Sequence, residues 1–118
     1  MPSMKDMLND LIKVEGINTA VIVGRDGFVI DGASNGAGMD VEAVGAVIST
    51  GIGTAEIMGR ELQVGTMSQG MVEYNNGIIV MGLLGKDAVL ACVADTKANL
   101  GNVRYQIKKR SPEIQAAL

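Results

Sequence analysis

The sequence predicts an α+β fold, and three observations carry that prediction. Apolar residues recur at helical spacing in three separate stretches, β-branched runs broken by Gly-containing turns fill the intervals between them, and the later strand runs are apolar at consecutive positions. A strand that is apolar on both faces needs cover on both faces, so helices are expected on both sides of the sheet even though the strands are joined by hairpins. The expected order is helix, hairpin, helix, three-strand meander, helix.

Ser3 followed by Asp6 reads as a capping box, and Met4, Met7, Leu8, Leu11 and Ile12 then mark the apolar side of a first helix that should run to Gly16. Its polar side carries Lys5, Asp6, Asn9, Asp10 and Lys13. Ile17–Val23 is β-branched and apolar on both faces, and Arg25-Asp26-Gly27 turns it into Phe28-Val29-Ile30, a hairpin. Residues 33–38 are small and polar and read as a loop. Asp40 then caps a second helix, with Glu42 in the first turn, where the helix dipole favours negative charge.

Val41, Val44, Ile48, Ile52, Ala55 and Gly59 mark one apolar face of this second helix. Residues 43–55 carry no charge at all, although an amphipathic surface helix should show several charges on its outer side. A second buried face is therefore expected, and Gly45, Ser49 and Gly53, spaced by four, form a small-residue stripe suited to close backbone approach. The alternative is that Gly51 and Gly53 break the helix, each costing ~1 kcal/mol relative to Ala.

Residues 60–65 form a connector, and residues 69–75 alternate weakly, Met71 and Glu73 against Val72 and Tyr74, as an edge strand would. Asn76-Gly77 is the strongest short hairpin signal in the chain and leads into residues 78–84; Gly85-Lys86-Asp87 turns into residues 88–94. In the last helix, residues 98–110, Leu100, Val103 and Ile107 share a side, and Ser111-Pro112-Glu113 should restart or kink it. No apolar run in the chain approaches the ~18 residues of a membrane span, and acidic residues near the N-terminus do not fit a signal peptide. A cytoplasmic protein with a single domain over residues 1–118 is expected.

Composition narrows the function. The net charge of −3 leaves no global basic field for nucleic acid, and the absence of histidine removes His-containing triads and His-containing zinc sites. The lone Cys92 sits in an apolar run and reads as an inert core thiol. Residues 97–118 hold five basic side chains and one acidic, so the rest of the chain is net −7. That asymmetry marks either an anion or partner surface or a solvated helix end whose cations suit the dipole. Gly51-Ile52-Gly53-Thr54-Ala55-Glu56 lacks the last glycine of a dinucleotide loop, and Gly82-Leu83-Leu84-Gly85-Lys86-Asp87 has neither the spacing nor the hydroxyl of a P-loop. Asp26 and Asp31 flank a hairpin, where solvated carboxylates are ordinary. No catalytic residue, cofactor or metal site is expected.

Function should then reside in surfaces. An uncharged helix and an edge strand together suggest a C2 dimer, with Gly45, Ser49, Ile52 and Gly53 on the helix and Met71, Val72 and Tyr74 on the strand at its interface.

The element order, with Leu8-Asn9-Asp10-Leu11 leading to Gly16-Ile17, the hairpin Ala20-Val21-Ile22-Val23-Gly24-Arg25-Asp26-Gly27, the small-residue helix, and Ala98-Asn99-Leu100-Gly101-Asn102-Val103-Arg104 as its most specific segment, resembles the Roadblock/LC7 family. The resemblance implies a profilin-like, five-stranded antiparallel sheet, order α-β-β-α-β-β-β-α, with the second helix on one face and the other two on the opposite face, completed by dimerisation. It also implies a non-catalytic homodimeric platform for a Ras-like small GTPase, as in short stand-alone prokaryotic members of the MglB type, which promote hydrolysis without donating an arginine finger. On that reading Glu42, Ala46, Thr50, Ile57 and Arg60, chosen by helical position, face the GTPase. A nucleotide-independent scaffold or light-chain role in a motor or polarity complex is the alternative, and a ligand-binding sensory module a weaker third.

Overall fold

The computed structural model describes residues 2–36 and 40–118. Its elements follow the expected order: α1 Met4–Leu11, β1 Ile17–Gly24, β2 Val29–Ser34, α2 Val41–Glu61, β3 Gln69–Tyr74, β4 Gly77–Leu84, β5 Ala88–Asp95 and α3 Leu100–Ala116. The strands form one antiparallel sheet in the order β2-β1-β5-β4-β3. β5 joins hairpin to meander: Cys92 stands opposite Ala20 of β1 and Val80 of β4. Because this strand is interior and covered on both faces, its side chains are apolar at nearly every position.

Alternate residues of the central strands enter two separate cores. Ile22, Val80, Leu90 and Cys92 meet Leu8 and Leu11 of α1 and Val103, Ile107 and Ile114 of α3. Val21, Val23, Met81, Val89 and Ala91 meet Ile48 and Ile52 of α2 on the other face. Each large aliphatic side chain so buried contributes about 1.5–3 kcal/mol relative to exposure, which is why the chain needs no disulfide. Cys92 is buried, and burial pushes its thiol up to about 12 against a small lowering by Arg110.

Several boundaries differ from the sequence reading. The capping box forms, with Ser3 accepting from the Asp6 N–H, but α1 ends at Leu11 instead of Gly16. Gly16 instead has φ +88, and an added Cβ would lie 2.4 Å from the Ala98 backbone, so the glycine serves a close crossing. Ala33 and Ser34, expected in a loop, extend β2, because Ala33 pairs with Ala20 and is buried; Ala37 and Gly38 of that expected loop lie outside the described residues. α2 is unbroken through Gly51 and Gly53 and continues past Arg60, which was expected in the connector. Packing on the sheet outweighs the glycines' propensity cost. The β3–β4 loop is Asn75-Asn76, one residue earlier than expected, with Gly77 opposite Tyr74 inside the ladder. A Cβ there would stand 2.3 Å from the Ala94 carbonyl oxygen, so Gly77 permits close strand approach. α3 passes through Pro112 without restarting; the ring removes one N–H, while buried Ile107 and Ile114 hold the turns on either side.

One expectation about membranes also needs correcting. α2, with 21 residues and a best-window mean hydropathy of 1.3, is long and apolar enough by length and composition to cross a bilayer. In this fold it lies on the sheet, with Ile48 and Ile52 buried.

Candidate functional site

α2 starts where the Asp40 carboxylate accepts the Glu42 N–H at 3.0 Å, and it lies along β1 and β2. One flank of the helix is committed to the hairpin. A Cβ on Gly45 would sit 2.5 Å from the Val29 side chain, the Ser49 hydroxyl donates to the Arg25 carbonyl at 3.3 Å, and Glu56 pairs with Arg25. The expected close-approach stripe therefore serves the protomer's own hairpin at two of its three members. Gly45 and Ile52, both assigned to a dimer interface from sequence, are buried within the protomer and offer it no surface. Ser49 is half-buried against the hairpin tip, and Gly53 is half-buried with open space where a Cβ would stand.

With each residue turning the helix by about 100°, the remaining surface falls into two rows. Ala46, Thr50, Gly53 and Ile57 point outward, and Val47, Gly51, Thr54 and Met58 lie on the flank away from the β2 edge, toward the centre of the sheet. Val47, Ile57 and Met58 are 67%, 50% and 57% exposed, and no charged side chain lies between Glu42 and Glu56. The Thr50 and Thr54 hydroxyls already donate to the Ala46 and Thr50 carbonyls at 3.1 and 3.2 Å, so covering them strands no donor. Val47, Gly51 and Met58 were missed by the sequence reading, which followed glycine spacing. They emerge once the core positions 41, 44, 48, 52 and 55 are struck from the helix and the uncharged remainder is read as a surface.

The positions assigned from sequence to a GTPase, Glu42, Ala46, Thr50, Ile57 and Arg60, are all exposed along the outside of α2. From Glu42 to Arg60 they extend roughly 27 Å at 1.5 Å per residue.

β3 is the second surface. Among the described residues it pairs only with β4, and Met71, Val72 and Tyr74 are exposed along it. Val72, opposite Ile79, lies on the α2 face of the sheet, while Met71, opposite Val80, lies on the other face. The edge thus presents unpaired backbone groups with apolar side chains on both sides.

The carboxylates considered for acid–base work have separate local duties. Asp26 accepts the Phe28 N–H at 3.1 Å at the hairpin tip, and Asp31 pairs with Lys5 at 3.1 Å. Gly51 and Gly53 lie inside a helix and form no phosphate cradle. Among the described residues no group of three or more carboxylate or thiol side chains gathers in a way that could hold a metal.

Comparison with known proteins accounts for this arrangement. The model of the Roadblock/LC7 domain matches residues 4–94. The chain belongs to the Roadblock/LC7 family. The match takes in both candidate surfaces and stops before residues 98–104, the segment given most weight from sequence. Two uncharacterised proteins of Methanocaldococcus jannaschii are each 37% identical over 110 residues, covering 93% of this chain and 95% of theirs. Among solved structures, Myxococcus xanthus MglB superposes with a TM-score of 0.86 at 19% identity, covering 96% of this chain and 92% of MglB. A Roadblock/LC7 domain from Streptomyces avermitilis gives 0.86 at 18% identity, over 97% and 96% of the two chains. The fold extends to profilin IB of Acanthamoeba castellanii, with a TM-score of 0.67 at 13% identity over 97% and 98%. A Roadblock/LC7 fold with profilin-like topology, expected from the element order, is thereby shown.

Proposed function

We propose that this Roadblock/LC7 chain is a non-catalytic, cytoplasmic homodimer, a single domain over residues 1–118, that acts as a platform for a Ras-like small GTPase and regulates it. The observation that carries the reading is the charge-free exposed face of α2 beside an unpaired edge strand, in a chain whose fold matches MglB. β3 meets its own copy in antiparallel register through Met71, Val72 and Tyr74. The second copy also covers the row Val47, Gly51, Thr54 and Met58, with Gly53 at its margin. The outward row, with Glu42, Ala46, Thr50, Ile57 and Arg60, remains for the GTPase.

Such a platform accelerates hydrolysis by holding the GTPase's own catalytic groups in their active arrangement, which can be worth several kcal/mol with no residue donated. Arg60 is the platform's one basic side chain in the last turn of α2, and Arg60→Ala is expected to weaken binding while leaving the maximal acceleration intact. The reading is tested by affinity capture from the source organism's lysate with excess GDP or with a non-hydrolysable GTP analogue, followed by single-turnover hydrolysis with the recovered GTPase. Recovery of a small GTPase only with the analogue, and faster hydrolysis at saturating protein, supports it. Equal recovery of the same partners in both nucleotide states supports the scaffold instead.

A further inference from the structure

The basic C-terminal segment is not explained by the platform. Nor is it a helix end adapted to the dipole, because the last turn of α3 carries no basic residue. Its cations divide by helix flank. Arg110 turns to Asp10 of α1 at 3.9 Å, and the Lys109 ammonium lies 5.9 Å from the Tyr105 ring centroid. Arg104 and Lys108, one turn apart, lie together on a different flank, above a cleft of about 470 Å³ between α3 and the β3 edge. The cleft forms because Gly82 lets α3 sit low on β4, its absent Cβ only 3.1 Å from Ile107.

Exposed Pro112 lines the cleft on the α3 side and Met71, which belongs to the proposed dimer edge, on the other, and Gln69 and Ser111 line its polar parts. Gln69 accepts from the Arg104 Nε at 3.1 Å, which fixes the guanidinium beside the cleft while leaving its terminal nitrogens available. Among the described residues neither Arg104 nor Lys108 has a carboxylate within ion-pair distance. None of the chain's thirteen acidic side chains lines the cleft, although the chain as a whole is net negative. Two free cations over a part-apolar, acid-free groove favour an anionic chain that carries an apolar side chain.

We infer that this cleft is a docking site for an acidic peptide segment of a partner protein, with carboxylates on Arg104 and Lys108 and one apolar side chain against Pro112. Lys108 and Gln115 along α3 span about 10 Å, and the flank from Arg104 roughly 16 Å, the length of an extended segment of about five residues. A peptide fits better than a polyanionic surface, because the site is a concave groove with only two cations, which suits a short segment carrying a few carboxylates. The cleft opens on the sheet face opposite α2, so a peptide there and a GTPase on α2 occupy different faces of the molecule.

The test is fluorescence anisotropy with labelled peptides of about ten residues, made of Asp and Glu around one central Leu, beside a Gln-substituted neutral version, oligodeoxythymidine and phosphatidylserine vesicles. The expected result is saturable binding of the acidic peptide, weakened about tenfold by Arg104→Gln with Lys108→Gln and little changed by Lys97→Gln with Lys109→Gln. Circular dichroism and the solution mass of both double variants should match the parent, which separates a lost site from a lost fold or a lost dimer. Absence of saturable binding, equal weakening by both double variants, or equal or tighter binding of the oligonucleotide or the vesicles would overturn the assignment.

Discussion

The two edges of the sheet are treated differently. At β2 the edge is guarded: the Lys5 ammonium of α1 donates to the Gly32 carbonyl and pairs with Asp31, the ladder shifts register between Ile22 and Val23, and helices lie against the strand from both faces. A lysine over an edge carbonyl and an irregular ladder are the means by which edge strands resist pairing with other chains. Among the described residues no lysine lies over a β3 carbonyl. The pairing with β4 is in regular register along its length, and Met71, Val72 and Tyr74 are exposed. The difference supports the proposal that β3 serves assembly while β2 belongs to the protomer.

The largest effects should come from glycines that set the sheet's own geometry, and these must be separated from edge effects. Gly77→Val places a side chain against the Ala94 carbonyl oxygen, 2.3 Å from an ideal Cβ, and should cost about 3 kcal/mol or more of unfolding free energy, read by chemical denaturation. Gly45→Leu should act the same way through Val29, lowering stability by about 2 kcal/mol. If it instead left stability intact and changed only the solution mass, the assignment of this flank of α2 to the hairpin would be wrong.

Next in size, Val72→Lys with Tyr74→Lys gives β3 the kind of protection that β2 already has. The dimer dissociation constant should rise roughly 100-fold with the folded protomer retained, measured by sedimentation equilibrium. The reverse experiment is smaller: Lys5→Ala removes a half-exposed ion pair worth at most about 0.5 kcal/mol, and it should let higher oligomers form at high protein concentration by uncovering β2. The least effect is expected at Cys92, which lies on the central strand between the two edges. Its thiol should react with disulfide reagents only on global unfolding, at rates insensitive to the edge variants. Because folding raises its pKa from 9.0 to about 12, the stability it contributes is complete below pH 9 and is lost as pH rises from 9 to 12.

The elements were legible where a local rule decides them: the Ser3 capping box, the Asp40 cap, the turn at Gly27 and the strands of the meander all come from short-range chemistry. The sequence misled where a residue's reason lies far along the chain. Gly45, Gly77 and Gly16 read as a stripe, a turn and a helix end, yet each is a glycine because Val29, Ala94 or Ala98 comes too near for a Cβ. Pro112 read as a restart or a kink, and the helix does not restart there because burial of Ile107 and Ile114 on either side overrides the local rule. For the candidate site, the uncharged stretch of α2 and the edge character of β3 were both legible. Which flank of α2 is free was not, because glycine spacing cannot tell approach to one's own hairpin from approach to a partner.

Amide hydrogen exchange across a protein dilution series measures the asymmetry of the two edges most directly. Amides of Met71–Tyr74 should gain protection as concentration rises through dimer formation, while those of Asp31–Ser34 stay constant. Free-edge exchange of β3 at every concentration, or concentration-dependent protection of β2 instead, would contradict it.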